Sequence, residues 1–134
     1  MKAKRVIETC LYVDDLEAAE QFYSTILGLE VFHHADGRNL FFRCENGMFL
    51  LFNPEVTREV TVPGMTPHGA FGAGHAAFSM NLDEVDAWRD HLKRHGVEIE
   101  SDFNWPSGGK SLYFRDPAGN SLELTTPKTW GLDE

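Results

Sequence analysis

Positive charge is scarce in this sequence: 12 Lys and Arg stand against 21 Asp and Glu, a formal net charge of -9. No basic run exists to displace counterions from phosphates, which excludes non-specific binding to nucleic acid or to an anionic membrane surface. Cysteine is scarcer still. Cys10 and Cys44 are the two present, without a C-x-x-C spacing, and read as reduced thiols rather than a disulfide scaffold. No apolar stretch approaches the roughly 20 residues that span a bilayer, and the opening MKAKR runs straight into a strand pattern instead of a signal-peptide core. The expected address is the cytoplasm. Low-complexity sequence is absent as well, and 134 residues at 42% hydrophobic content support one domain with a real core.

What the chain does have is a carboxylate where a strand should carry an apolar residue. Residues 109–124, GKSLYFRDPAGNSLEL, read as two strands around a tight turn. In Asp116-Pro117-Ala118-Gly119 the proline presets φ and the glycine accepts φ > 0, while Leu112, Phe114, Leu122 and Leu124 alternate on either side. Glu123 therefore lies on the face opposite Leu122 and Leu124.

The pattern occurs twice. Residues 37–52, GRNLFFRCENGMFLLF, align without a gap on 109–124, matching Gly37 to Gly109, Arg43 to Arg115 and Gly47 to Gly119. Each copy is preceded by an alternating strand and a helical stretch, so the chain is one strand-helix-strand-strand-strand unit written twice. In this alignment Glu8 falls opposite His75, and Glu123 opposite Leu51. The expected architecture is α+β: tandem βαβββ modules forming a cupped mixed sheet with helices outside. Module 1 covers about residues 5–53, a linker 54–73, module 2 about 74–126 and a tail 127–134.

Within module 1, a strand over Val6 to Val13 puts Ile7, Leu11 and Val13 on one face and Glu8, Cys10 and Tyr12 on the other. Asp14 or Asp15 caps a helix whose stripe is Leu16, Ala19, Phe22, Tyr23 and Ile26, stopped by Gly28. The linker, with three prolines and four glycines over 54–74, reads as a crossover and a candidate lid, with His68 a solvated loop residue. In module 2, His75, Ala77 and Ser79 share the polar side of a strand. The helix that starts at Asp83 buries Val85, Trp88 and Leu92, and from the sequence His91 and His95 read as surface residues at its positive-favouring end rather than as metal ligands. Val97 to Phe103 is the next strand, and 104–109 a flexible loop.

The doubled unit, the YVDDLEAAEQFYSTILGL run, the GHAAF strand and the DPAGNSLEL ending resemble the vicinal oxygen chelate superfamily, which includes glyoxalase I, fosfomycin-resistance enzymes, extradiol dioxygenases and bleomycin-binding proteins. The resemblance covers essentially the whole chain. It implies that Glu8, His75 and Glu123 are metal ligands inside the cupped sheet, holding one divalent ion per chain: Mn, Ni, Co, Zn or Fe. One imidazole and two carboxylates suit any of these and leave positions open for substrate. Read from spacing alone, each acid could instead face solvent or pair with Arg43 or Arg115.

Glu8 and Glu123 are the catalytic candidates, with Glu8 either a ligand or a general base. Tyr12, Phe41, Arg43, Ser79, Trp105, Tyr113 and Arg115 are candidate substrate-binding residues. Many relatives carry histidine where Glu8 stands, and the fourth ligand position of glyoxalase I falls near Leu51. The leading expectation is a glyoxalase-like lyase, isomerase or transferase-like enzyme that chelates a small oxygenated substrate to its metal. The alternatives are a metal-free binding protein of the bleomycin-resistance type and a dioxygenase. The expected partners are a small-molecule substrate and a second copy of the chain in a homodimer, with no nucleic acid and no membrane.

Overall fold

The computed structural model describes residues 1–59, 63–64 and 66–133, so residues 60–62 and 65 of the candidate lid lie outside the described residues. Two compact units divide the chain, Met1–Ala73 and Gly74–Glu134. Each is a βαβββ unit with one four-stranded mixed sheet, and the architecture is α+β as the doubled sequence pattern implies.

The first unit contains β1 (Glu8–Tyr12), α1 (Leu16–Ile26), β2 (Glu30–Ala35), β3 (Asn39–Cys44), β4 (Gly47–Phe52) and a short α2 (Pro54–Thr57). Its sheet runs in the order β1-β4-β3-β2, with β1 parallel to β4 and the other pairs antiparallel. Of the two candidate caps, Asp15 does the work: it accepts from Ala18 N at 2.9 Å and satisfies one donor of the first turn. From α1, Leu16, Ala19, Tyr23 and Ile26 are buried, while Phe22 is only half-buried. Tyr23 sets its ring 5.7 Å from Phe42 and 5.1 Å from Phe49, on the sheet face that also carries Leu40 and Leu51.

The second unit contains β5 (His75–Ser79), α3 (Val85–Arg94), β6 (Ser101–Asn104), β7 (Lys110–Arg115) and β8 (Ser121–Thr125), in sheet order β5-β8-β7-β6. Leu112, Phe114, Leu122 and Leu124 form its core with Val85 and Leu92 of α3. Trp88, expected in that core, is half-buried.

Several boundaries differ from the sequence reading. The linker is not wholly loop: Asn53 accepts from Glu55 N at 3.1 Å and Pro54 opens α2, a cap and first-turn pair that builds a helical turn. Helix α3 begins at Val85, after a 3-10 turn at Leu82–Glu84 in which Glu84 Oε2 accepts from Asn81 N at 2.8 Å. Strand β6 begins at Ser101, not Val97, because Val97 N still donates to Leu92 O, 2.9 Å away at the helix exit. Residues 104–109 form a hydrogen-bonded turn: Trp105 N donates to Gly109 O and Gly108 N to Trp105 O, each at 2.9 Å.

The turn from Asp116 to Asn120 holds the second unit's strands in place. Asn120 N and Nδ2 donate to the two oxygens of Asp116 at 2.7 and 2.9 Å, and Asn120 Oδ1 accepts from Gly74 N at 2.8 Å. Gly119 at φ +85 supplies the left-handed step. One buried amide thus joins the hairpin to the residue before His75. Asn120→Ala removes all of its side-chain bonds inside a buried turn, and should lower the unfolding free energy by about 1–3 kcal/mol. The check is the urea midpoint at unchanged m-value.

Candidate metal and active site

The sheet registers correct the repeat alignment. Arg43 pairs with Met48 and Arg115 with Ser121, so the second hairpin carries one more turn residue than the first. Phe41 pairs with Leu50 as Tyr113 pairs with Glu123; the counterpart of Glu123 is therefore Leu50, not Leu51. Leu51 faces α1 with Leu40. The match of Glu8 with His75 stands, since Glu8 pairs with Met48 and His75 with Ser121.

In the second unit, the face opposite the core carries Ser111, Tyr113, Ser121, Glu123, Thr125, His75 and Ser79. Glu123 is 5% exposed at the middle of β8. A charge so buried needs partners, or it would take up a proton instead. Ser111 Oγ donates to Glu123 Oε1 at 2.5 Å. That uses the single serine proton, so Ser111 accepts from Trp105 Nε1 at 2.8 Å and meets Thr125 Oγ1 at 2.9 Å with its lone pair. Thr125 Oγ1 lies 3.0 Å from Thr129 Oγ1, which fixes the 3-10 turn Pro127–Trp130 to the same network. Gly109 makes that contact possible, because a Cβ there would come within 2.3 Å of Thr129 Oγ1.

The Tyr113 phenol is pushed up, first by burial and then by its hydrogen bond to Glu123 and the carboxylate's charge. It stays protonated at neutral pH and donates. The Tyr113 ring also stacks near His75, at 6.4 Å and 26°.

His75 completes the arrangement. Its Nδ1 lies 3.0 Å from Ser121 O, which can only accept, so Nδ1 carries the proton in the neutral ring. Its Nε2 then turns a lone pair toward Glu123 Oε2, 3.4 Å away. Two acceptors that face each other are satisfied by a cation between them, whether a proton or a metal ion. The donor chemistry therefore fits a divalent ion, with a carbonyl orienting the imidazole as ligating histidines require. Among the described residues, no three His, Cys, Asp or Glu side chains converge on one point.

The first unit's corresponding face is aromatic. Tyr12 OH bonds His68 Nδ1 at 3.1 Å, and the His68 ring meets Phe52 edge-on at 4.2 Å. His68 is thus more than a solvated loop residue. Phe41 lies 5.3 Å from Phe52 and 5.4 Å from His33. The Tyr12 phenol is pushed up by burial and then by Cys10. Asn39, in the place that Ser111 holds in the other unit, is 6% exposed and its Nδ2 has no partner among the described residues. Glu8 opens β1 on this face and is exposed.

The arginines are committed elsewhere: Arg43 lies over the Phe32 ring at 4.5 Å, and Arg115 donates to Glu100 Oε1 at 2.9 Å and Gly119 O at 3.0 Å. Ser79 is exposed opposite Thr125. Ser111 is the residue that sequence reasoning missed. Its signal was its place two residues before Tyr113, on the face of Glu123.

A doubled βαβββ unit with an imidazole and a buried carboxylate on one sheet face defines the class. The chain belongs to the Glyoxalase/Bleomycin resistance protein/Dioxygenase superfamily, whose family model matches residues 5–124. Among solved structures it is similar to lactoylglutathione lyase from Agrobacterium tumefaciens, with 39% identity and a TM-score of 0.94 over 98% of this chain and 100% of that one. Metallothiol transferase FosB of Staphylococcus epidermidis is 28% identical over 127 residues, 94% of this chain and 84% of that protein. FosX from Listeria monocytogenes, solved with Mn(II), shares the fold at 21% identity and a TM-score of 0.70.

Ser111→Ala takes the donor from Glu123 and the acceptor from Trp105. The expected result is a loss of about 1–3 kcal/mol in stability, measured by urea unfolding in the presence of a chelator.

Proposed function

We propose that this chain is a glyoxalase-type, metal-dependent enzyme that acts on a small oxygenated substrate by lyase, isomerase or transferase-like chemistry. The observation that carries the reading is the His75 Nε2 lone pair facing the buried Glu123 carboxylate. His75 and Glu123 would hold one divalent ion per chain, with Glu8 as the third ligand or as the base. Mn, Ni, Co, Zn and Fe all suit the donor set. When bound, such an ion polarises adjacent substrate oxygens as a Lewis acid. Similarity to the lyase and transferase relatives supports this class of chemistry.

The chain's own residues have separable tasks. Ser121 O orients the imidazole, while Ser111 and Tyr113 hold the Glu123 carboxyl in place. Glu8, exposed and in no ion pair among the described residues, would move a proton at a substrate carbon or oxygen. The aromatic face of Tyr12, Phe41 and Phe52, with the unpartnered Asn39 donor, suits an apolar substrate group that ends in a hydrogen-bond acceptor. We read the working form as a cytoplasmic homodimer, since a half of about 60 residues covers one sheet face with its helix and needs a partner surface, within the chain or across chains, for the other. Light scattering that gave a monomer at working concentration would remove that part alone.

The same aromatic face favours a second reading, a metal-free binding protein of the bleomycin-resistance type. Calorimetry separates the two. The enzyme reading expects about one Mn²⁺ or Ni²⁺ per chain, lost in Glu123→Ala. Glu8→Gln then divides its roles: as ligand it loses metal affinity and Glu8→His restores it, whereas as base it keeps the ion and loses turnover by about 10²- to 10⁴-fold. A protein that takes up no Mn²⁺, Ni²⁺, Co²⁺ or Zn²⁺ near neutral pH leaves the binding-protein reading.

A further inference from the structure

We propose a second, independent metal site on the outer surface of α3, formed by His91 and His95 and selective for late divalent ions such as Cu²⁺ and Ni²⁺. The two residues are four apart, which at about 100° per residue puts them on one helix face about 6 Å apart along the axis. Their rings are side by side, with centroids 4.5 Å apart and an interplanar angle of 55°. Paired imidazoles at this spacing are the geometry by which a helix grips zinc with two histidines. Lys93, two residues after His91, points to the far side of the helix, while Arg94, three residues after it, flanks the pair on one edge.

Two further features make the pair more than a chance neighbourhood. His91 is half-buried, with the Trp88 ring edge-on to it at 5.5 Å, so the first imidazole is held rather than free to rotate. His95 is the C-cap residue, beside the last carbonyls of the helix, whose partial negative charge favours a bound cation. Neither residue belongs to the His75 and Glu123 arrangement.

The chemistry of the two sites differs. Two neutral imidazoles, with water in the remaining positions, follow the order in which copper binds most tightly and manganese least. The His75 and Glu123 site, with its carboxylate, accepts Mn²⁺ as well. The chain should therefore bind two ions of Cu²⁺ or Ni²⁺ but one of Mn²⁺. Trp88 is the reporter, since paramagnetic Cu²⁺ one residue contact away quenches its emission.

The test is a Cu²⁺ titration of the intact chain followed by tryptophan emission, run in a His75→Ala background so that an ion bound near Trp105 does not contribute, with and without His95→Ala or His91→Ala. The expected result is a saturable quenching step in His75→Ala that is lost when His95→Ala or His91→Ala is added, with Mn²⁺ producing no such step. Absence of the step in His75→Ala, or a step unchanged by adding His95→Ala, overturns the proposal. His95 is exposed, so its loss leaves the fold intact and a negative result stays interpretable. The outcome is independent of the enzyme reading, which rests on different residues.

Discussion

A single hydrogen bond, from the Ser111 hydroxyl to the Glu123 carboxylate, is the constraint on which the second unit's open face depends. A carboxylate in the middle of a buried strand is costly unless every lone pair has a use. Ser111 and Tyr113 serve it from the neighbouring strand, and one oxygen is left for His75. The other polar contacts exist to keep Ser111 in place. Trp105 folds its turn over to donate to it, and Thr125 ties it to the C-terminal 3-10 turn through Thr129. The result is a carboxyl group oriented before any ligand arrives, which a metal or substrate site needs if binding is not to be spent on ordering side chains.

The two halves share a topology and differ in what they put on that face. Asn39, Phe41 and Leu50 stand in the first unit where Ser111, Tyr113 and Glu123 stand in the second. Three substitutions at matching positions turn a polar, ion-ready surface into an apolar one with a lone amide donor. Glu8 and His75 hold matching positions as well, but with different chemistry. Duplication of a fold followed by such divergence leaves two matching faces with different chemistry, one polar and one aromatic. Function is then carried by the side chains, not by the fold they share.

Much of this was legible in the sequence because strands alternate with a period of two. That period placed Glu123 away from Leu122 and Leu124, the internal repeat matched Glu8 to His75, and both placements hold in the registers. It could not count turn residues. A gapless alignment hid the extra residue between Arg115 and Ser121, and a shift of one position moves a side chain to the other face, so Leu51 was taken for Leu50. Ser111 escaped because a serine in a strand carries no signal of its own; only its partners, six to fourteen residues away, give it a role. His68 escaped for the same reason, since its contacts with Tyr12 and Phe52 bring together distant segments. The strand expected from Val97 starts four residues later, at Ser101, because the helix exit captured Val97 N first.

The central claim is that His75 and Glu123 form one side of a divalent-ion site that takes one imidazole and otherwise oxygen. X-ray absorption at the metal edge of Mn²⁺-loaded protein tests it most directly, because manganese bypasses the paired histidines of α3. The account predicts a first shell of oxygens with one imidazole, and loss of that imidazole in His75→Ala. A shell with two imidazoles, with sulfur, or with no imidazole at all would contradict it.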